Sequence, residues 1–97
     1  MHIFLTVRKL KPGSYDEWRK AWQPDLWPSG STKAYILRNR NDPDEIVAFG
    51  MFEGDLDATL ADPGMQAQQR TRTDRMAPYV ASIATDGIYE VIEEVTP

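Results

Sequence analysis

Between Lys33 and Glu53 two apolar runs rich in β-branched and aromatic residues, Ala34–Leu37 and Ile46–Phe52, flank a polar centre, Arg38–Glu45. That centre holds Asn41-Asp42-Pro43-Asp44. Asn and Asp side chains can bond their own backbone, and proline presets φ for a turn while being unsuited to a central strand. The pattern predicts a long antiparallel hairpin. Counting odd and even positions sets Ile36 with Val47, Phe49 and Met51, and Tyr35 and Leu37 with Ile46, Ala48 and Phe52. A sheet with one wet face alternates cleanly between apolar and polar. Here both faces carry large apolar groups, so both are expected to be covered.

The flanking segments follow the same logic. His2–Val7 alternates an aliphatic set, Ile3, Leu5 and Val7, with a mixed set, His2, Phe4 and Thr6, which Arg8 extends. It reads as a first strand ended by Pro12-Gly13. Ser14 followed by Glu17 has the spacing of a capping box. Tyr15, Trp18 and Trp22 then recur at helical spacing and read as that helix's core stripe, with Pro24 as its stop. Gln23–Thr32 is a long Pro-, Ser- and Gly-containing connection. Its Trp27 reads either as a hydrophobic plug or as a lid over a pocket.

After the hairpin a helix begins at Gly54 or Asp55, and Asp62-Pro63 restarts it with Asp as N-cap and Pro at the first helical position. Gln66–Arg75 has one alanine as its only apolar residue, bracketed by Met65 and Met76. Such a helix skims the sheet's edge, borders a polar cavity, or is simply solvated with an Arg70–Asp74 pair. Gly87–Val95 reads as the last strand. The order is β-α-β-β-α-β, an α+β, ferredoxin-like fold with a four-stranded antiparallel sheet and helices on one face. An apolar face left bare over several hundred Å² exceeds what a monomer tolerates. The expectation is a single domain, residues 1–97, that pairs with itself as a homodimer.

Composition narrows the function. Zero cysteines remove disulfides, thiolate nucleophiles and iron–sulfur chemistry. A net charge of −4 argues against nucleic acid, whose affinity comes mostly from phosphate neutralisation. No apolar run approaches the roughly 20 residues of a spanning helix, and the basic residues follow the N-terminal apolar run, the reverse of a signal peptide. A cytoplasmic protein with no membrane and no nucleic-acid partner is expected. The single histidine, His2, leaves no zinc set and no plausible Ser-His-Asp triad. The remaining acid–base candidates are Tyr35, Arg38, Arg72, Glu53 and Glu90, and no spacing singles out a pair of them.

The chain resembles the antibiotic-biosynthesis-monooxygenase-like group of dimeric α+β barrel proteins. The likeness rests on the strand end Leu10-Lys11-Pro12-Gly13, the hairpin RNRNDPDEIVAFGMFEG, the helix restart Asp62-Pro63-Gly64-Met65-Gln66-Ala67 and the closing Gly87-Ile88-Tyr89-Glu90-Val91. The resemblance implies two sheets forming a barrel, each subunit holding a pocket between sheet and helices. It also implies either a cofactor-independent monooxygenase acting on an aromatic small molecule, phenolic in the narrower version, or a non-catalytic dimeric ligand-binding or scaffold module. The haem-binding branch of the group uses a histidine late in the second helix. This chain has Arg70, Arg72, Arg75 and Met76 there, and Thr6 where that branch places an asparagine, so no haem, metal or other cofactor is expected. The oxygenase branch draws on polar pocket residues, whereas the third strand here, IVAFGMF, supplies none. A ligand cavity prefers apolar walls with a few placed polar groups, and a closed core under helices prefers the aliphatic set. Phe4 and Thr6 are therefore expected to face the cavity, with Tyr35, Gln69 and Arg72 as its polar groups and Trp27 as a movable cover.

Overall fold

A computed structural model describes all 97 residues. Strand β1 spans His2–Leu10, helix α1 Tyr15–Trp22, β2 Ser31–Asn39 and β3 Asp42–Phe52. Helices α2 (Leu56–Ala61) and α3 (Pro63–Met76) follow, then a single 3-10 turn, Ala77–Tyr79, and β4, Val80–Glu90. The sheet is antiparallel in the order β2-β3-β1-β4. This is the ferredoxin-like α+β arrangement. No helix is long and apolar enough to cross a membrane.

The helix boundaries follow the local chemistry, with one exception. Asp55 accepts from the Ala58 amide and Asp62 from the amides of Gly64 and Met65, so both caps of the second helical region form as read. Ser14 is the N-cap of α1, but its side chain makes no capping bond. The capping box expected with Glu17 is therefore absent. The first turn keeps Asp16 and Glu17 against the positive end of the helix dipole.

Register decides which residues meet. Ile36 pairs with Ala48, Tyr35 with Phe49 and Leu37 with Val47. This reverses the face assignment from odd-even counting. Between the Arg38↔Ile46 and Asn39↔Asp42 pairs β3 inserts Pro43, Asp44 and Glu45, and β2 inserts nothing. That irregularity sets the parity, and a one-residue slip exchanges the faces. The turn itself shrinks to Arg40-Asn41, with Asn39 accepting from the Asn41 amide. Pro43 falls inside β3, beyond the last β1 pair at Lys9↔Glu45. There the strand has lost one neighbour and a missing amide costs little.

One face of the sheet packs under the helices. Leu10, Ile46 and Ala48 join Trp18, Ala21, Trp22 and Met76 in a single core, with Tyr15, Ala34 and Ile36 packed against it. The α1 aromatics are thus its core stripe. The aliphatic set Ile3, Leu5 and Val7 lies opposite, paired with Met51, Phe49 and Val47 on the face without helices. The expectation that this set prefers the side under the helices is corrected. Two tryptophans and a leucine already fill that side, and the uniform aliphatic strip is left outside.

The molecule is 18 Å thick, one sheet and one helical layer. Only 10 of 97 residues are buried, so the core is one-sided. Tyr35 stacks on Phe49 on the open face with ring centroids 5.2 Å apart. The last strand begins at Val80 rather than Gly87. Two register irregularities in its pairing with β1 carry it past Ser82 and Thr85, whose polarity hides it in the sequence. Beyond Glu90 the chain leaves the sheet after one bond from the Val91 amide to the Met1 carbonyl.

Candidate functional site

Between the sheet and the helices lies a cavity of about 740 Å³. β1 contributes Phe4 and Thr6 to its wall, α1 Trp22, and β4 Asp86 and Ile88. The other side is Met65, Gln69 and Arg72 of α3 and Trp27 of the α1–β2 connection. The volume and the mixture of aromatic walls with polar side chains suit a small organic ligand.

The polar middle of α3 serves two purposes. Arg72 Nε and Nη2 both donate to the Trp22 carbonyl, at 2.8 and 2.6 Å, and Nη1 donates to Gln69 Oε1 at 2.8 Å. Arg75 Nε donates to the Ala21 carbonyl and its Nη2 to the Gln23 carbonyl, both at 2.8 Å. The last carbonyls of a helix have no partner within it and carry its negative dipole end. Two arginines from α3 satisfy those of α1. An arginine-rich helix on the inner side is thereby accounted for. The Arg70–Asp74 pair of the solvated reading is not among the ion pairs, which are Lys9–Asp42 and Arg75–Asp25.

Arg72 also stacks on Trp22, its guanidinium carbon 5.4 Å from the ring centroid. Burial, reinforced by Arg8 and Arg75 and opposed by Asp25, pushes its pKa down to about 10. The Nε–Nη2 edge of the guanidinium is spent on the Trp22 carbonyl. One N–H on each terminal nitrogen remains for the cavity, from the five that a guanidinium carries.

Trp27 stands where the connection crosses the cavity mouth. It meets Trp22 edge-on at 5.9 Å and is 42% exposed, against 9% for Trp22. Besides the Arg75 contacts to Gln23 and Asp25, two tethers hold the connection. The Glu53 amide donates to the Gly30 carbonyl at 2.8 Å. There Gly30 adopts φ +103°, and a Cβ on it would come within 3.0 Å of the Gly54 Cα. The second tether is Gln68, whose Oε1 accepts from the Leu26 amide at 2.6 Å while its Nε2 donates to the Leu26 carbonyl at 2.8 Å. A second cavity of about 670 Å³ lies on the far side, sharing Trp22, Trp27, Ser31, Lys33 and Ala34 with the first.

Of the six residues expected at the site, Phe4, Thr6, Trp27, Gln69 and Arg72 line the cavity and Tyr35 does not. Tyr35 lies on the opposite face because Ala34 and Ile36, its neighbours in β2, point to the core. Among the acid–base candidates Arg38 sits over the Tyr15 ring at 4.8 Å, and only Arg72 lines the cavity. No three His, Cys, Asp or Glu side chains converge as a metal site would require.

Sequence reading missed Asp86, Gln68 and Arg8. Asp86 accepts from Thr6 Oγ1 at 3.3 Å, and the pairing Thr6↔Asp86 places it. It was invisible because the last strand was expected to start after it. Arg8 is only 8% exposed and packs 5.6 Å from the Trp18 ring centroid. Its membership of the mixed β1 face was the signal.

No protein-family model matches the chain, and no curated protein sequence does. Solved structures do match. A candidate antibiotic biosynthesis monooxygenase from Bordetella bronchiseptica superposes with a TM-score of 0.72 at 11% identity, over 95% of this chain and 97% of that one. A second candidate of the same description, from Nitrosomonas europaea, gives 0.69 at 18% identity, covering 96% of this chain and all of the other. SnoaB, a cofactor-independent oxygenase from Streptomyces nogalater, gives 0.64 at 14% identity, over 99% and 97%. At these identities the likeness establishes the fold. The chain has the α+β fold of the antibiotic-biosynthesis-monooxygenase-like proteins, end to end.

Proposed function

We propose that this protein is a homodimeric barrel whose cavities each bind a planar aromatic molecule and oxidise it with dioxygen, without a resident metal, haem or flavin. The observation that carries the reading is the cavity itself. Its walls include Phe4, Trp22, Trp27 and Ile88, and among its polar groups are Thr6, Gln69 and Arg72. Flat apolar walls take a ring system, and a partly buried guanidinium takes an oxygen substituent. The oxygenase description of SnoaB supports the chemical half. The dimer is supported by the open sheet face, where Ile3, Leu5, Val7, Tyr35 and Leu37 have no covering layer within the chain. The absence of cysteine supports a cytoplasmic setting.

For an arenol the reaction balances as one arenol and one dioxygen giving one quinone and one water. The ring gains an oxygen atom, the second oxygen leaves as water, and the hydroxyl proton goes first to an acceptor. Asp86 is the carboxylate on the cavity wall, and Arg72 is placed to hold the resulting oxyanion. The test is oxygen uptake with 1-naphthol. Uptake equal to the naphthoquinone formed, and lost on Arg72→Ala, supports the reading. Retention of unchanged 1-naphthol with no uptake favours the alternative, a non-catalytic ligand-binding module. One observation speaks for that alternative: Asp86 is exposed and no carboxylate lies deeper in the cavity.

A further inference from the structure

The charges around the cavity run against those of the chain. The protein carries −4 overall. Yet on the cavity wall Arg72 balances Asp86, since Lys33, though at the border, lies on the same face of β2 as Tyr35. A second cation stands immediately behind the wall. Arg8 follows Thr6 by two positions on the same face of β1 and lies against Trp18, one turn before the wall residue Trp22. Arg8 is 8% exposed, and its Nη1 has no hydrogen-bond partner. Trp18 Nε1, another buried donor, has none either. Burying a guanidinium with an unsatisfied donor is costly and calls for a nearby negative charge. Asp86, the one carboxylate that acts on Arg8, is exposed at the rim and engaged with Thr6. Arg72 and Arg8 repel each other as well.

We propose that the inner end of the cavity is an anion subsite: Arg72 contacts a carboxylate or oxyanion of the ligand, and Arg8, sealed behind Thr6, supplies the second positive charge that holds it. The inference rests on the cavity being a ligand site and names the ligand's class, a planar aromatic anion. Arg8 acts through the field, across the wall, and is a positioning residue. Arg72 touches the ligand through the N–H groups not spent on Trp22 and Gln69. The low dielectric of the tryptophan-lined wall lets a charge one residue away count.

The test compares two isosteric probes, 2-naphthoate and its neutral counterpart 2-acetylnaphthalene, by isothermal titration calorimetry. The wild-type protein binds the anion more tightly by roughly tenfold, which is about 1.4 kcal/mol. In Arg8→Met that advantage falls to about threefold or less, while 2-acetylnaphthalene binds as before. A merely structural role for Arg8 would weaken both probes together and leave their ratio intact. Should Arg8→Met not fold, Arg8→Lys and Arg8→Gln make the same comparison, the first keeping the advantage and the second losing it. Equal binding of both probes to the wild type overturns the anion subsite and leaves the cavity reading standing, as does an advantage unchanged in the neutral variant. Binding of neither probe overturns both.

Discussion

Replacing Arg72 by Ala should destabilise the protein well beyond the ordinary effect of a partly exposed position. The side chain joins two helices: Nε and Nη2 bond the Trp22 carbonyl at the end of α1, and Nη1 bonds Gln69 within α3. A hydrogen bond from a charged donor contributes about 1.5–3 kcal/mol net. Because both donors share one acceptor and the group is only partly buried, the low end of that range applies to the pair. Stacking over Trp22 adds about 0.5 kcal/mol, and relief of repulsion with Arg8 returns a part. The expected loss is about 2 kcal/mol. In a domain of this length about 1 kcal/mol moves Tm by roughly 4–8 °C, so a fall near 10 °C should be visible by circular dichroism. Wild type and variant must be compared at equal protein concentration, since the stability of the proposed dimer would depend on it. Arg72→Lys should recover less than half, because an ammonium cannot span the same carbonyl with a planar fork. A loss below about 0.5 kcal/mol, the range of ordinary surface changes, would refute the reasoning. It would mean that water satisfies the end of α1 and that the arginine belongs to the cavity alone.

Val47→Lys on the open face should convert a dimer into a monomer by multi-angle light scattering; a wild type that is already monomeric would contradict the barrel. Asp62→Ala should cost about 1 kcal/mol, the ordinary worth of an N-cap, measured by urea unfolding; no change would show that Pro63 alone starts α3. Gln68→Ala should free Leu26 and speed amide exchange at Leu26 and Trp27 while leaving β1 protected, and uniform acceleration would mean a global effect instead. Arg72's folded pKa of about 10 lies below the value of the free side chain. Between those two values the unfolded chain holds more protons, so this group makes stability rise with pH there. The difference in stability between wild type and Arg72→Ala should therefore shift toward the wild type as pH climbs through that window; a shift the other way would contradict the burial of the charge.

Much of the fold was legible because turns, caps and apolar alternation are local signals. Asp62-Pro63 placed α3, Pro24 stopped α1, and the doubly apolar strands announced an open face. The faces of the hairpin were not legible. Their parity depends on three residues of β3, Pro43 to Glu45, that bulge against β2, and nothing local fixes that number. Tyr35 was misplaced for this reason. The last strand was misread because its pairing with β1 tolerates Ser82, Thr85 and Asp86 at the sheet's edge. For the site, the mixed face of β1 pointed to Phe4 and Thr6, and the polar middle of α3 to Gln69 and Arg72, all four of which line the cavity. The carbonyl-capping role of Arg72 and Arg75 was out of reach, because it joins groups about 50 residues apart in sequence.

The most direct test of the cavity as a ligand site is an amide NMR titration with 2-naphthoate. Saturable shifts at Phe4, Thr6, Ala34, Gln69 and Arg72, with Tyr35, Leu37 and Val47 unmoved, are what the structure predicts. Shifts confined to Tyr35, Leu37 and Val47, or none at saturating ligand, would contradict it.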